Sequence, residues 1–267
     1  MTPEEQALID AVCAQPFADA PRLAYAAWLE GQIPPREQGE AIRLAIDTAG
    51  KRLPSLPTLD DRAALLRAQR RLHALLETHA DAWKAPVLQI AERCELYRGM
   101  VASARVDAEV FVKRHDELLS LAPIVHLDLF NVPDHLVQVL KVPALRERIR
   151  ALTVADQGLT DAHMRQLART APLPRLWYLD LIGNRISVDG VESLAVSNAL
   201  PALTHTVLDA NPGNIHERAG VEQALVQAWF PPEGRALEDA YGPVRWLHFH
   251  DDCYREYPPN PCGPPLT

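Results

Sequence analysis

Two textures of hydrophobic patterning divide this chain. Up to about residue 95 the apolar positions recur at three- and four-residue intervals, the mark of amphipathic helices. Over 5–14 the stripe is Ala7, Leu8, Ala11 and Val12. A second helix is predicted from Asp19, the candidate N-cap, with Pro21 in its first turn. Its apolar face carries Leu23, Ala26, Ala27 and Leu29, with Trp28 beside them. Pro34-Pro35 breaks the pattern, and 38–47 resumes it through Ala41, Ile42, Leu44 and Ala45. After a proline-containing loop, 59–79 reads as a longer helix rich in Leu and Arg, and 83–94 as a further short one.

From about Val101 the texture changes to an internal repeat. The frame L-x-x-L-x-L-x-x-N fits Leu176, Leu179, Leu181 and Asn184. It falls again on Ile149, Leu152, Val154 and Gln157, on Leu203, Thr206, Leu208 and Asn211, and on Ile124, Leu127, Leu129 and Val132. The starts at Ile124, Ile149, Leu176 and Leu203 are 25, 27 and 27 residues apart. That lies inside the period of roughly 20–29 residues expected of leucine-rich repeats. Frayed copies fit Val101, Ala104 and Val106 at one end, and Val244, Leu247 and Phe249 at the other. Helical stretches follow at 160–168 and 188–195, each opened by a capping residue, Thr160 or Ser187. Asn184 and Asn211 stand where an amide side chain can bond the backbone of the turn after a strand.

One strand–helix unit cannot bury its own apolar face, so such units stack and share a core. The expected fold class is therefore α/β: a leucine-rich-repeat solenoid, with parallel strands on the concave face and helices on the convex face, behind an all-helical N-terminal segment. The expected domains are a helical capping domain over 1–97 and a repeat domain over 98–267. The latter would hold about five to six repeats and a Pro-rich tail at 257–265.

Two resemblances attach to these motifs. Leu179-Asp180-Leu181-Ile182-Gly183-Asn184-Arg185-Ile186, continued by Gly190 and Leu194-Ala195, resembles the long repeats of ribonuclease inhibitor and Ran GTPase-activating protein. The run from Asp19 to Glu30, with Glu40-Ala41-Ile42-Arg43-Leu44 after it, resembles a bacterial repeat-companion domain that precedes leucine-rich repeats. Arg98-Gly99-Met100 is similar to the step at which that family enters its first strand. Ala27 departs from the acidic residue usual in the companion motif, and Thr206 from the leucine of the repeat. The resemblances imply this architecture and a bacterial source, and no activity.

Composition narrows the function classes. Apolar residues make up 48% of the chain, charged residues 23%, and the formal net charge is -8. Neither half is basic, so nucleic-acid binding by counterion release has no footprint, and a basic protein partner suits the charge better. The start of the chain lacks the basic and apolar regions of a signal peptide, and no apolar run reaches the roughly 20 residues of a membrane span. A cytoplasmic monomer, with neither nucleic acid nor membrane as partner, is expected. The scattered Cys13, Cys94, Cys253 and Cys262 read as thiols, with a Cys253–Cys262 bridge as the alternative.

Side chains alternating with the buried leucines would face the concave side. The candidate partner-binding residues are His126, Asp128, Phe130, Tyr178, Asp180, His205, Trp246, His248 and His250, with Tyr178 and Trp246 as aromatic anchors. His248 and His250, at i and i+2 of one strand beside Asp251, Asp252 and Cys253, are the sharpest chemical constellation, and a metal-dependent hydrolase there is the rival reading. No H-E-x-x-H, C-x-x-C or G-x-S-x-G spacing accompanies them, and 47–51 lacks the first glycine and the Ser/Thr of a P-loop. The expectation is a non-enzymatic scaffold with no catalytic residue, metal or cofactor, capturing a protein such as a toxin or effector in the manner of an immunity protein.

Overall fold

A computed structural model describes residues 2–34, 36–51, 53–55, 58–208, 210–212 and 262. The protein is mixed α/β, with a six-stranded, mostly parallel sheet whose strands lie in chain order. Contacts divide it into two compact units, Met1–Ala104 with Glu117–Ile124, and Arg105–Asp116 with Val125–Thr267.

The first unit is led by four helices: α1 (Pro3–Ala14), α2 (Asp19–Glu30), α3 (Glu37–Thr48) and α4 (Leu59–Leu88). Ile9, Val12, Cys13, Tyr25, Ala26, Leu29 and Ile42, from α1, α2 and α3, form a core with Met100. Thr2 caps α1 by accepting from the Glu5 N–H at 3.1 Å, and Thr58 caps α4 through Asp61 at 3.0 Å. Asp19 is the first helical residue of α2, and Ala18 takes the cap position without a side-chain acceptor.

The expected short helix over 83–94 and the all-helical character expected of 1–97 both change at β1 (Arg93–Tyr97). The stretch 83–94 is not a separate helix: α4 runs on unbroken to Leu88, and β1 follows. Nothing between His79 and Trp83 stops a helix, and Pro86, which cannot donate to the carbonyl four residues before it, falls in the last turn, two residues before α4 ends. Strand β1 runs directly into β2 (Met100–Asp107) through Arg98 and Gly99, both at positive φ (50° and 77°), as a tight hairpin turn requires. Glycine is needed at position 99 for a second reason. A Cβ there would lie 2.9 Å from the backbone of Ile42 on α3.

The second unit alternates strands and helices: β3 (His126–Phe130), α6 (Leu136–Lys141), α7 (Pro143–Glu147), β4 (Ala151–Thr153), α8 (Asp161–Ala168), β5 (Tyr178–Asp180), α9 (Val188–Ala195) and β6 (His205–Val207). Helix α5 (Ala108–Leu121) precedes them. The strands pair in parallel and in one register, so that Leu127, Leu152, Leu179 and Thr206 share a rung. Leu127, Leu129, Leu152, Leu179 and Leu181 are buried, each worth about 1.5–3 kcal/mol against exposure. Thr160 and Ser187 cap α8 and α9, as their position before each helical stretch predicts.

Strand exits are built alike. Asn131, Asp156, Gly183 and Ala210 all have φ between 56° and 69° and stand 25, 27 and 27 residues apart. Asn184 is 4% exposed. Its Nδ2 donates to the carbonyls of Val154 (2.7 Å) and Leu181 (2.8 Å), and its Oδ1 accepts from Leu159 N–H (2.9 Å) and Gln157 N–H (3.1 Å). Asn211 repeats the pattern one turn later, donating to Leu181 (2.7 Å) and Leu208 (3.1 Å) and accepting from Ile186 N–H (3.1 Å). These amides stitch each turn to the one before it, and buried backbone groups are thereby satisfied without a regular ladder.

Candidate functional site: one face of the second unit's sheet

Along β3 the leucines Leu127 and Leu129 are buried, and His126, Asp128 and Phe130 take the alternate positions. Arg105, in the last part of β2, joins them. Its Nη1 donates to Asp128 Oδ2 at 2.8 Å, and its guanidinium lies 5.3 Å over the Phe130 ring. An arginine held by both a carboxylate and an aromatic face has few rotamers left, so it presents a fixed shape.

His126 is tied to the next strand, its Nε2 lying 2.9 Å from Thr153 Oγ1. Burial pushes the imidazole pKa down to about 4, so the ring is neutral at physiological pH. Further along the sheet, Asp180 accepts from the Ile182 N–H at 3.0 Å. His205 packs edge-on to Trp177, ring centroids 5.7 Å apart, and Trp177 meets Tyr178 in a similar tilted arrangement at 5.7 Å.

At the carboxyl ends of β2, β3 and β4 lies an open depression of about 610 Å³. Asp107, Glu109, Asp134 and Asp156 give it four carboxylates, with Asn131 and Gln157 between them. Asp107 accepts from Asn131 Nδ2 (2.7 Å), Glu109 N–H (2.8 Å) and Val110 N–H (3.2 Å). Partial burial opposes its charge, but the Asn131 and backbone hydrogen bonds outweigh it and hold the carboxyl below its usual range. Asn131 is itself positioned by Gln157, whose Oε1 accepts its N–H at 2.7 Å. The carboxyl ends of strands are where parallel sheets commonly bind ligands.

No family model matches this chain, and no curated protein matches it.

Of the candidate residues, His126 and Asp128 lie on β3 and share rungs with Tyr178 and Asp180 on β5, Phe130 closes β3, and His205 opens β6. Trp246, His248 and His250, together with Cys253, lie outside the described residues. Tyr178 does not stand open as an anchor. It is 4% exposed and packed against Trp177, and burial, with the Asp180 charge second, raises its pKa. Asp128, at 8% exposure, serves to hold Arg105. Among the described residues no group of three His, Cys, Asp or Glu side chains is placed to share a metal ion. No helix there is long and apolar enough to cross a membrane.

Arg105 and the depression are what sequence reasoning underrated. Arg105 alternates with Ala104 and Val106 in the frayed first copy, so its position was readable, whereas its contacts to Asp128 and Phe130 depend on strand pairing. The depression gathers residues at or just beyond strand ends, and only the common register brings them side by side.

Proposed function

We propose that this chain is a non-enzymatic, protein-binding scaffold of the leucine-rich-repeat solenoid type, which takes up a basic protein partner on the strand face. The register carries the reading. His126, Ala151, Tyr178 and His205 form one rung, and Asp128, Thr153, Asp180 and Val207 another. Equivalent side chains from successive strands thus recur along one face, where His126, Thr153, Asp180, His205 and Val207 are partly exposed around the buried Ala151 and Tyr178, a spread that suits a macromolecule better than a small substrate.

Arg105 and Phe130 are the anchors, since arginine and aromatic side chains dominate binding hot spots. Their mutual stacking and the Asp128 pair order Arg105 in advance, which reduces the entropy lost on association. The carboxylates of Asp107, Glu109, Asp134 and Asp156 form an acidic rim that attracts positive charge, in keeping with the net charge of -8. A basic effector neutralised by an immunity protein is a partner of this chemistry.

The test is a double variant, Arg105→Ala with Phe130→Ala, beside Arg165→Ala on α8 as a control. The partner is isolated by cross-linking in the native host and then titrated as a purified protein. The double variant should bind at least roughly tenfold more weakly, as loss of hot-spot residues does, and the control should match wild type. Equal affinity for wild type and a folded double variant would overturn the proposal.

A further inference from the structure

The first unit contains a buried charge that its own contacts do not balance. Arg22, on α2, has no solvent exposure. Its Nη1 donates to the carbonyls of Pro16 and Ala18, the latter at 3.3 Å, which holds the guanidinium at the amino end of α2. Nε and Nη2 have no acceptor. Those two nitrogens form the side-on fork of a guanidinium, whose parallel N–H groups match the two oxygens of a carboxylate.

The surroundings add positive charge there. Helix α2 is twelve residues long, and its cap residue Ala18 offers no side-chain acceptor to the first-turn N–H groups. The guanidinium of Arg98 stacks over Tyr97 at 5.3 Å, and that of Arg22 over the same ring at 5.7 Å. Asp19 is the carboxylate of this cluster, and it is paired with Arg98. Two guanidiniums and a positive helix end therefore face one carboxylate. Burial first, and Arg98 second, lower the pKa of Arg22, as expected of a cation short of counter-charge.

We propose that the Nε/Nη2 fork of Arg22 is a receptor for one further carboxylate, admitted at the amino end of α2 when the Arg98–Asp19 pair opens. Arg98 shares the Tyr97 ring with Arg22, so its pair with Asp19 stands beside the buried guanidinium. The Arg98 side chain is 19% exposed and that of Asp19 48%, so the closing pair lies at the surface and is the part able to swing out. The carboxylate can be a free small acid or an acidic side chain of another protein, because both present the same two oxygens.

Arginine Nε–H resonances of the full chain report on this directly. Formate and acetate are titrated at constant ionic strength with chloride as the balancing salt, and a glutamate-rich peptide forms a second arm. The Arg22 Nε–H signal should shift downfield and saturate. Asp19→Asn, which removes the competing carboxylate and leaves Arg22 intact, should lower the midpoint roughly tenfold. Saturation by the small acids marks a free-ligand site, and saturation by the peptide alone marks a protein partner. A signal unmoved by both arms, in wild type and in Asp19→Asn, would show a closed structural arginine and overturn the proposal.

Discussion

Replacing Asn184 by alanine should cost about 3–6 kcal/mol of stability, out of the roughly 5–15 kcal/mol that a domain possesses. The magnitude follows from what its amide holds. Oδ1 accepts from the N–H groups of Gln157 and Leu159, and Nδ2 donates to the carbonyls of Val154 and Leu181. A buried backbone group left without a partner costs about 1–3 kcal/mol, and several of these four would be left so once the amide is gone, since Asn184 is almost fully buried. Asn184→Asp separates the two halves of the network. It keeps both acceptor bonds, loses both donor bonds, and sets a charge against the Val154 and Leu181 carbonyls. Aspartate should therefore be at least as damaging as alanine. Urea denaturation followed by fluorescence gives the loss, and hydrogen exchange over 154–187 locates it. A cost below about 1 kcal/mol for Asn184→Ala, with exchange unchanged at Gln157 and Leu159, would refute the reasoning, because it would mean that water satisfies these groups equally well.

Acid should destabilise the second unit through His126. Its folded pKa of about 4 lies below the ordinary 6.5, so the unfolded chain takes up the proton first. Stability is then complete above about pH 6.5 and falls as the pH drops toward 4, by at most about 3 kcal/mol. In His126→Gln that slope should disappear from denaturation midpoints measured across the same window, and a slope equal to wild type would assign it to other groups. Ala210 holds φ 56°, a conformation costing a non-glycine residue about 1–2 kcal/mol, at the position that glycine takes in the preceding turn. Ala210→Gly should thus raise the midpoint of thermal unfolding despite the entropy glycine adds to the unfolded chain, and the reverse change, Gly183→Ala, should lower it. In the latter the new Cβ would lie 1.8 Å from Asp156 Oδ1, so that side chain must also move. A gain from Gly183→Ala would contradict both statements.

Local chemistry explains why some elements were legible and others were not. Helices α1, α2, α3, α8 and α9 declare themselves through apolar spacing and, at α8 and α9, through Thr160 and Ser187, because helical contacts and caps form between near neighbours in sequence. Strand β1 was hidden at the end of a long helical pattern. Its five residues, Arg-Cys-Glu-Leu-Tyr, carry too short an alternation to distinguish, and Arg98-Gly99 marks the turn only once the chain is known to reverse there. The candidate site divides in the same way. Which residues of β3, β5 and β6 sit opposite the leucines follows from alternation alone, whereas alternation does not show that Tyr178, on that same face, is buried.

By itself the sequence determined the spacing: leucines at 25- and 27-residue intervals, asparagines at the strand exits, and the alternation that separates His126, Asp128 and Phe130 from Leu127 and Leu129. Such features are periodic, and a period survives without knowledge of distant contacts. Tertiary structure decided the rest. Pairing β2 beside β3 sets Arg105 against Asp128 and Phe130, strand register gathers four carboxylates into one depression, and helix packing seals the Arg22 guanidinium with two donors unmet. Each of these is a contact between residues far apart in the chain or a consequence of burial, and neither is written in the order of residues along it.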